Sequence, residues 1–247
     1  MRLKIYILFA IVVSSCAKDH AFDCFTPNGK TETITRSLPP FKKLEVFDNF
    51  DITIVQSNAW RVEITGAEHV LKGIETEVND SLLTIRNLNS CNFVRGYKRP
   101  FSLRIYTPFV QEIVNEGVAV VRMDENFTQD SLSAKVGNSG DFYLNGNYRI
   151  VKTVSTGNGD MYLKGKVETL YVFTTGVNYV YGKDLQISKY MFIHTLTLGD
   201  CLLSAGPTTE FAYNIQGKGN IYLYGTPKGI YNASEPGYTG QLIVVPN

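Results

Sequence analysis

The chain has 247 residues, with 24 Lys+Arg against 23 Asp+Glu and a formal net charge of +1. A near-neutral chain of mixed sign excludes the electrostatic footprint of a nucleic-acid binder, or of a protein held to an anionic membrane by charge alone. Fifteen Tyr, 14 Phe and 1 Trp, within a hydrophobic fraction of 44%, are enough for a real core and argue against intrinsic disorder.

The N-terminus carries Arg2 and Lys4 and then the apolar run IYILFAIVV (5–13). Nine helical residues rise about 13 Å, far short of the roughly 30 Å hydrocarbon core, so the run reads as a secretory signal peptide and not as a membrane span. VSSC (13–16) resembles the lipobox of bacterial lipoproteins, in which cleavage before the Cys leaves a thiol to carry the acyl chains. Lipidation of Cys16 is therefore expected, with ordinary secretion and an incidental Cys as the alternative. Several chains at about 0.8 kcal/mol per buried CH₂ make a lasting anchor. Cleavage removes Arg2 and Lys4 and leaves 22 Lys+Arg against 23 Asp+Glu. The expected organisation is a signal peptide over 1–15, a tether over 16–36 and one domain over 37–247.

Within that domain, 37–110 holds scattered strands, 111–225 holds repeats and 226–247 forms a C-terminal cap. The segments KKLEVFD, FDITIVQ, WRVEITG, SLLTIRN and FSLRIYTP alternate apolar and polar residues between Asn, Asp, Gly and Pro, the pattern of short strands with one face buried. AEHVLKGIETEV is the nearest approach to a helix, and Gly73 with its β-branched residues limits it to about a turn. Cys24 and Cys91 lie in polar, turn-rich stretches and form a candidate disulfide, which would stabilise by roughly 4 kcal/mol in the chain-entropy model. No Cys or His pair has metal-ligand spacing, so no metal and no cofactor is expected. The basic run RGYKR (95–99) reads as a solvated loop.

From about Val114 onward the texture changes. SGDFYLNG (139–146), NGDMYLKG (158–165), TGVNYVYG (175–182), LGDCLLSAG (198–206) and KGNIYLYG (218–225) align, with first glycines at 140, 159, 176, 199 and 219. The third segment fits loosely, its interior slipped by one, and in the fourth Ala205 replaces the second Gly. A period near twenty residues, each unit carrying a short strand, marks a β-solenoid in which stacked coils share one interior. The G-x-G of GNGD (157–160) is not a phosphate loop, because such a loop occurs once and opens a helix, whereas this motif recurs and leads into strands.

SLPPFKKLEVFDNFDITIVQ (37–56), GIETEVNDSLLTIRN (73–87), CNFVRGYKRP (91–100) and the Gly-Asp/Asn repeats together resemble the Bacteroidota "putative autotransporter adhesin, head GIN domain" family, a domain of unknown function. The resemblance spans roughly 37–245. It implies an all-β, right-handed parallel β-helix-like solenoid on a secreted or lipid-anchored protein, and leans toward adhesion. The family offers no catalytic motif to carry over. Lys18 and Asp19 are faintly similar to the surface-export signal of lipoproteins in the same phylum.

The period of two along a strand sends Phe142, Leu144, Met161, Leu163, Cys201, Leu203, Ile221 and Leu223 inward. Cys201 is then a buried free thiol. Outside stands a candidate binding strip, Tyr143 beside Tyr162 with Tyr222 further along, flanked by Asp141, Asp160, Asp200 and Asn220. Such a strip could stack on sugars or meet a partner protein; equally, the tyrosines could simply brace the sheet and the Asp/Asn suit its turns. Asp141 with Asp160 is a formal carboxylate pair, but no His, Arg or Lys converges on it in the repeat. G-x-S-x-G, H-E-x-x-H and P-loop patterns are absent, so catalysis is not expected. The expected role is a lipid-anchored outer-membrane protein, exposed at the surface in the adhesin reading, that binds glycan or protein; the alternatives are a self-assembling structural protein or, further off, a glycan-active enzyme. Oligomeric state is not legible.

Overall fold

The computed structural model describes residues 29–89 and 101–245. The signal peptide, Cys16, Cys24, Cys91 and the run 95–99 lie outside the described residues. The described residues are 61% strand and 3% helix and wind into a β-solenoid of about six turns, with coils of about 21 residues.

The N-terminal strands are β1 (Thr31–Ser37), β2 (Lys43–Val46), β3 (Phe50–Gln56), β4 (Arg61–Ala67), β5 (Ile74–Asn79), β6 (Leu82–Asn87) and β7 (Phe101–Thr107), with β8 (Glu112–Asn115) opening the repeats. Residues 31–36, read from the sequence as tether, instead form most of β1, which pairs with β4. Its Thr-x-Thr-x-Thr alternation is a strand signal that the tether assignment overlooked. The predicted single turn at 67–78 is a 3₁₀ helix, Glu68–Gly73, that buries Val70 and Leu71 before the chain returns to strand.

Each coil from β8 onward contributes one strand to each of two sheets. The long strands are β10 (Thr128–Val136), β12 (Asn147–Ser155), β14 (Gly165–Gly176), β16 (Leu185–Thr197), β18 (Glu210–Ile215) and β20 (Gly229–Asn232). The short ones are β9 (Val120–Met123), β11 (Phe142–Leu144), β13 (Met161–Leu163), β15 (Val180–Gly182), β17 (Cys201–Ser204), β19 (Ile221–Tyr224) and β21 (Leu242–Val245). The short-strand sheet runs β1-β4-β7-β3-β9-β11-β13-β15-β17-β19-β21, and the long-strand sheet runs β20-β18-β16-β14-β12-β10-β8-β2-β6-β5. Pairing is parallel throughout the repeats. Among the described residues it is antiparallel only at the N-terminal end, in β1–β4, β4–β7 and β5–β6.

The predicted inward residues are all at most 2% exposed and belong to one core that runs the length of the solenoid. Fully burying each of the larger side chains contributes about 1.5–3 kcal/mol. A column of glycines fixes how closely the coils approach. A Cβ on Gly140, Gly159, Gly199, Gly219 or Gly240 would stand 1.9–2.3 Å from a carbonyl oxygen of the preceding coil. No side chain fits there.

The third coil corrects the sequence alignment. Met161 pairs with Val180, and Val180 with Cys201, which puts Asn178 in the glycine column in place of Gly176. Asn178 is tolerated because its side chain turns inward, taking the Thr174 hydroxyl as donor and donating to the carbonyls of Gly157 (2.8 Å) and Thr175 (2.6 Å). With Ala119 added at the start and Gly240 at the end, the column steps by 19 to 21 residues, tighter than the 17 to 23 of the sequence alignment.

Candidate functional site

The outer face of the short-strand sheet carries one aromatic row. Each short strand has its two flanking side chains buried and its middle one outside, so stacking six coils lines up Arg122, Tyr143, Tyr162, Tyr181, Leu202 and Tyr222. Tyr143 and Tyr162 stack with ring centroids 4.4 Å apart and planes 5° from parallel, and Tyr162 and Tyr181 follow at 4.9 Å and 16°. Tyr179 lies 5.9 Å from Tyr181 in the same orientation. Arg122 sits 4.9 Å above Tyr143 and also pairs with Asp51.

This geometry decides what the row can offer. Both faces of Tyr162 are covered, as are the two of Tyr143, so neither has a free face for a sugar ring. Edges and hydroxyls point outward instead. Desolvation, with Asp160 and Tyr143 adding to it, pushes the Tyr162 phenol up to about 12, and the Tyr181 phenol moves the same way for similar reasons. Both remain hydroxyl donors at neutral pH.

The flanking Asp/Asn row has a job inside the sheet. The Asp141 carboxylate accepts from the Asp160 backbone N–H of the next coil (2.9 Å), and Asp160 from that of Tyr179 (2.8 Å). Asp200 accepts from Asn220 (2.7 Å), and Asn220 from Gln241 (3.0 Å). Each side chain thus extends the backbone ladder past a strand of three or four residues. Asp160 is held above the usual carboxylate range, chiefly by partial burial and also by Asp141.

Asp141, Tyr143, Asp160 and Tyr162 are therefore neighbours. Asn220 and Tyr222 stand in the same two rows, separated from them by coils carrying Tyr179 with Tyr181 and Asp200 with Leu202. The sequence alignment missed Tyr181 because it slipped the third coil, and it missed Arg122 because that coil lacks the glycine motif.

A second aromatic group, not singled out in the sequence, lies on the long-strand sheet. Tyr171 and Tyr190 pack with centroids 5.9 Å apart, and Phe173 meets the His194 ring edge-on at 5.1 Å. The alternation of YVF (171–173) and YMFIH (190–194) was its visible signal. His194 Nε2 shares a hydrogen bond with Gln216 (3.2 Å). Cys201 is a free thiol, fully buried and pushed up to about 12 by desolvation, which leaves it chemically quiet. Among the described residues no group of three or more His, Cys, Asp or Glu comes together.

The family model described as "Putative auto-transporter adhesin, head GIN domain" matches residues 40–227. The chain belongs to this family. Solved structures that resemble this head GIN solenoid include a "putative adhesin" from Bacteroides fragilis, at 19% identity and TM-score 0.68, covering 87% of this chain and 97% of the other. A "putative lipid binding protein" from Parabacteroides distasonis matches at 16% and 0.66, covering 88% and 98%. A "putative adhesin" from Parabacteroides merdae matches at 16% and 0.54, covering 88% and 97%. At such identities the likeness carries the fold. No curated protein matches. The family description makes the head GIN domain adhesin-like and associates it with the cell surface or envelope.

Proposed function

We propose that the protein is a lipid-anchored, non-catalytic module of the cell envelope, tethered to the outer membrane through Cys16, that binds glycan or protein on the flank of its solenoid. The observation that carries this reading is the tyrosine row, an ordered line of hydroxyls and ring edges with the glycine-packed core rigid beneath it. Half-buried aromatics already ordered by stacking favour recognition at their free edges, because little is lost in ordering them. The lipobox-like VSSC supports the anchor, and the family description supports adhesion.

Protease shaving of intact cells, with a periplasmic control, is the test. Clipping of this protein while the control survives is the expected result, and protection would remove the adhesive reading. Labelling with a palmitate analogue, lost in Cys16→Ser, checks the anchor.

One observation favours a second reading, self-assembly. Ile230 and Val244 occupy inward positions of the last coil yet are 44% and 45% exposed, because among the described residues no strand lies beyond β20 and β21. Light scattering across protein concentration distinguishes a monomer from end-to-end pairs.

A further inference from the structure

The long-strand sheet lacks a neighbouring strand at two places within the repeats: at Thr128–Leu132, since β8 meets β10 only from Ser133 onward, and again between β16 and β18. β14 meets β16 from Gly165↔Leu185 onward, but β18 first meets β16 at Tyr190↔Glu210. Leu185–Ile187 therefore has a strand on one side only, and the Ile187 carbonyl takes the Thr209 hydroxyl (2.5 Å) in place of a ladder bond. An open cleft of about 390 Å³ results, floored by Leu185 and Ile187 and rimmed by Lys183, Asp184, Gln186, Ser204 and Gly206.

The break has a cause in the sequence. Gly146, Gly165 and Gly225 turn their corners at φ of 107°, 107° and 92°, but no residue from 183 to 206 has positive φ. The corners on either side of the cleft are thus both built without a left-handed glycine, as is the earlier one at 124–127. Pro207 follows, and it cannot donate to a ladder. β16 also carries a bulge between Ile187 and Tyr190, where Ser188 and Lys189 oppose Glu168 alone. Bulges concentrate near functional sites. The departures that spoil the repeat in the third and fourth segments therefore meet at one place, and that place is concave.

The lining narrows the ligand. An ammonium, a carboxylate, an amide and a hydroxyl meet at the cleft, donors and acceptors in balance and without net charge. Lys183 Nζ lies 4.3 Å over the Tyr224 ring, which links the cleft to the end of the exposed aromatic surface. Three residues of unpaired edge are too few to hold a peptide by strand addition, which depends on a run of main-chain bonds. The volume falls within the roughly 300–1,000 Å³ usual for small-ligand sites.

We propose that this cleft binds one neutral, hydroxyl-rich sugar unit of a glycan whose remainder follows the surface toward Tyr224. The proposal rests on the glycan-binding form of the function proposed above. Gly206 provides a clean test, since a Cβ there would meet no atom within 4 Å and its φ is ordinary.

Wild type, Gly206→Trp and Gln186→Ala are applied to an array of neutral and uronate-containing glycans, with thermal melts to confirm that each variant is folded. The expected result is wild-type binding to neutral glycans, reduced tenfold or more in both variants with melting unchanged. Binding by wild type that both folded variants retain would overturn the cleft and leave the broader reading standing. A preference for uronates would overturn the neutral-ligand assignment. No binding to any glycan by wild type would overturn the glycan reading itself, and the cleft with it.

Discussion

The two halves of the solenoid are assembled by different rules. In the repeats, every strand from β10 onward pairs with the strand one coil earlier, and the same three devices recur: an inward apolar pair, a glycine beneath a carbonyl, and an Asp or Asn bridging to the next N–H. In residues 31–107 nothing recurs. β2 and β3 lie between β6 and β7 on one side and β8 and β9 on the other, so chain order and spatial order disagree. Beyond them, the antiparallel strands and the 3₁₀ helix close the end. Arg36 ties this closure together, donating to the carbonyls of Ile74 (2.5 Å) and Leu71 (3.2 Å) and to the Thr76 hydroxyl (3.0 Å). Repetition supplies stability by stacking one solution; the end needs particular residues, each used once.

That contrast can be broken by substitution. The largest effect is expected for Gly159→Val, which forces a side chain against the Gly140 carbonyl, 2.0 Å from the Cβ position. A loss of about 3 kcal/mol or more is expected by chemical denaturation, against a change within about 0.5 kcal/mol for Gly206→Ala. Arg36→Met, which removes the donor to the Ile74 carbonyl while that of Leu71 keeps the Ile74 N–H, should cost about 1–2 kcal/mol. Hydrogen exchange should then quicken over residues 68–79 while the repeats stay protected; faster exchange everywhere would mean that the end is not a separable device. Tyr162→Ala removes a ring stacked on both sides and should cost about 1 kcal/mol beyond its lost area, with Tyr162→Phe nearly silent.

Asp160→Asn should have a small effect and an unusual sign. The Asp160 carboxyl is raised in the fold, so the native state keeps its proton to higher pH than the unfolded chain does. Its ionisation therefore opposes folding as pH rises through about 4 and above. The Asn side chain can still accept from Tyr179, as Asn220 does from Gln241. Urea melts should show equal stability at pH 3 and a gain of no more than about 0.5 kcal/mol at pH 7, after allowance for solvent screening.

Much of the repeat was readable because its devices are local. Phe142, Leu144, Met161, Leu163, Ile221 and Leu223 announce their burial through alternation, and Gly140, Gly159 and Gly219 announce the coil length. Tyr181 was not readable by the same signal. Its coil replaces the column glycine with Asn178, whose fitness depends on Thr174 and on the carbonyls of Gly157 and Thr175, contacts that no spacing rule encodes. The purpose of the Asp/Asn row was equally hidden, since a residue that suits turns and one that bridges coils look alike in sequence. The strands of 37–110 were visible one by one, but their order was not. Nothing in FDITIVQ indicates that its neighbours will be Phe101–Thr107 and Val120–Met123.

Disagreement between chain order and spatial order also bears on how the protein is made. Side-chain hydrogen bonds between coils of the repeats join residues 18 to 22 apart, whereas Gln56 must wait for Thr128 and Asp51 for Arg122, 72 and 71 residues later. The longer closure costs only about 1 kcal/mol more entropy. Its larger cost is time. A chain synthesised from its N-terminus at about 5–20 residues per second leaves β2 and β3 without β8 and β9 for on the order of ten seconds, two half-apolar strands with open edges throughout that interval. These two early strands wait longer for their partners than the coils of the repeats do, and shielding them until then falls to whatever receives the nascent chain.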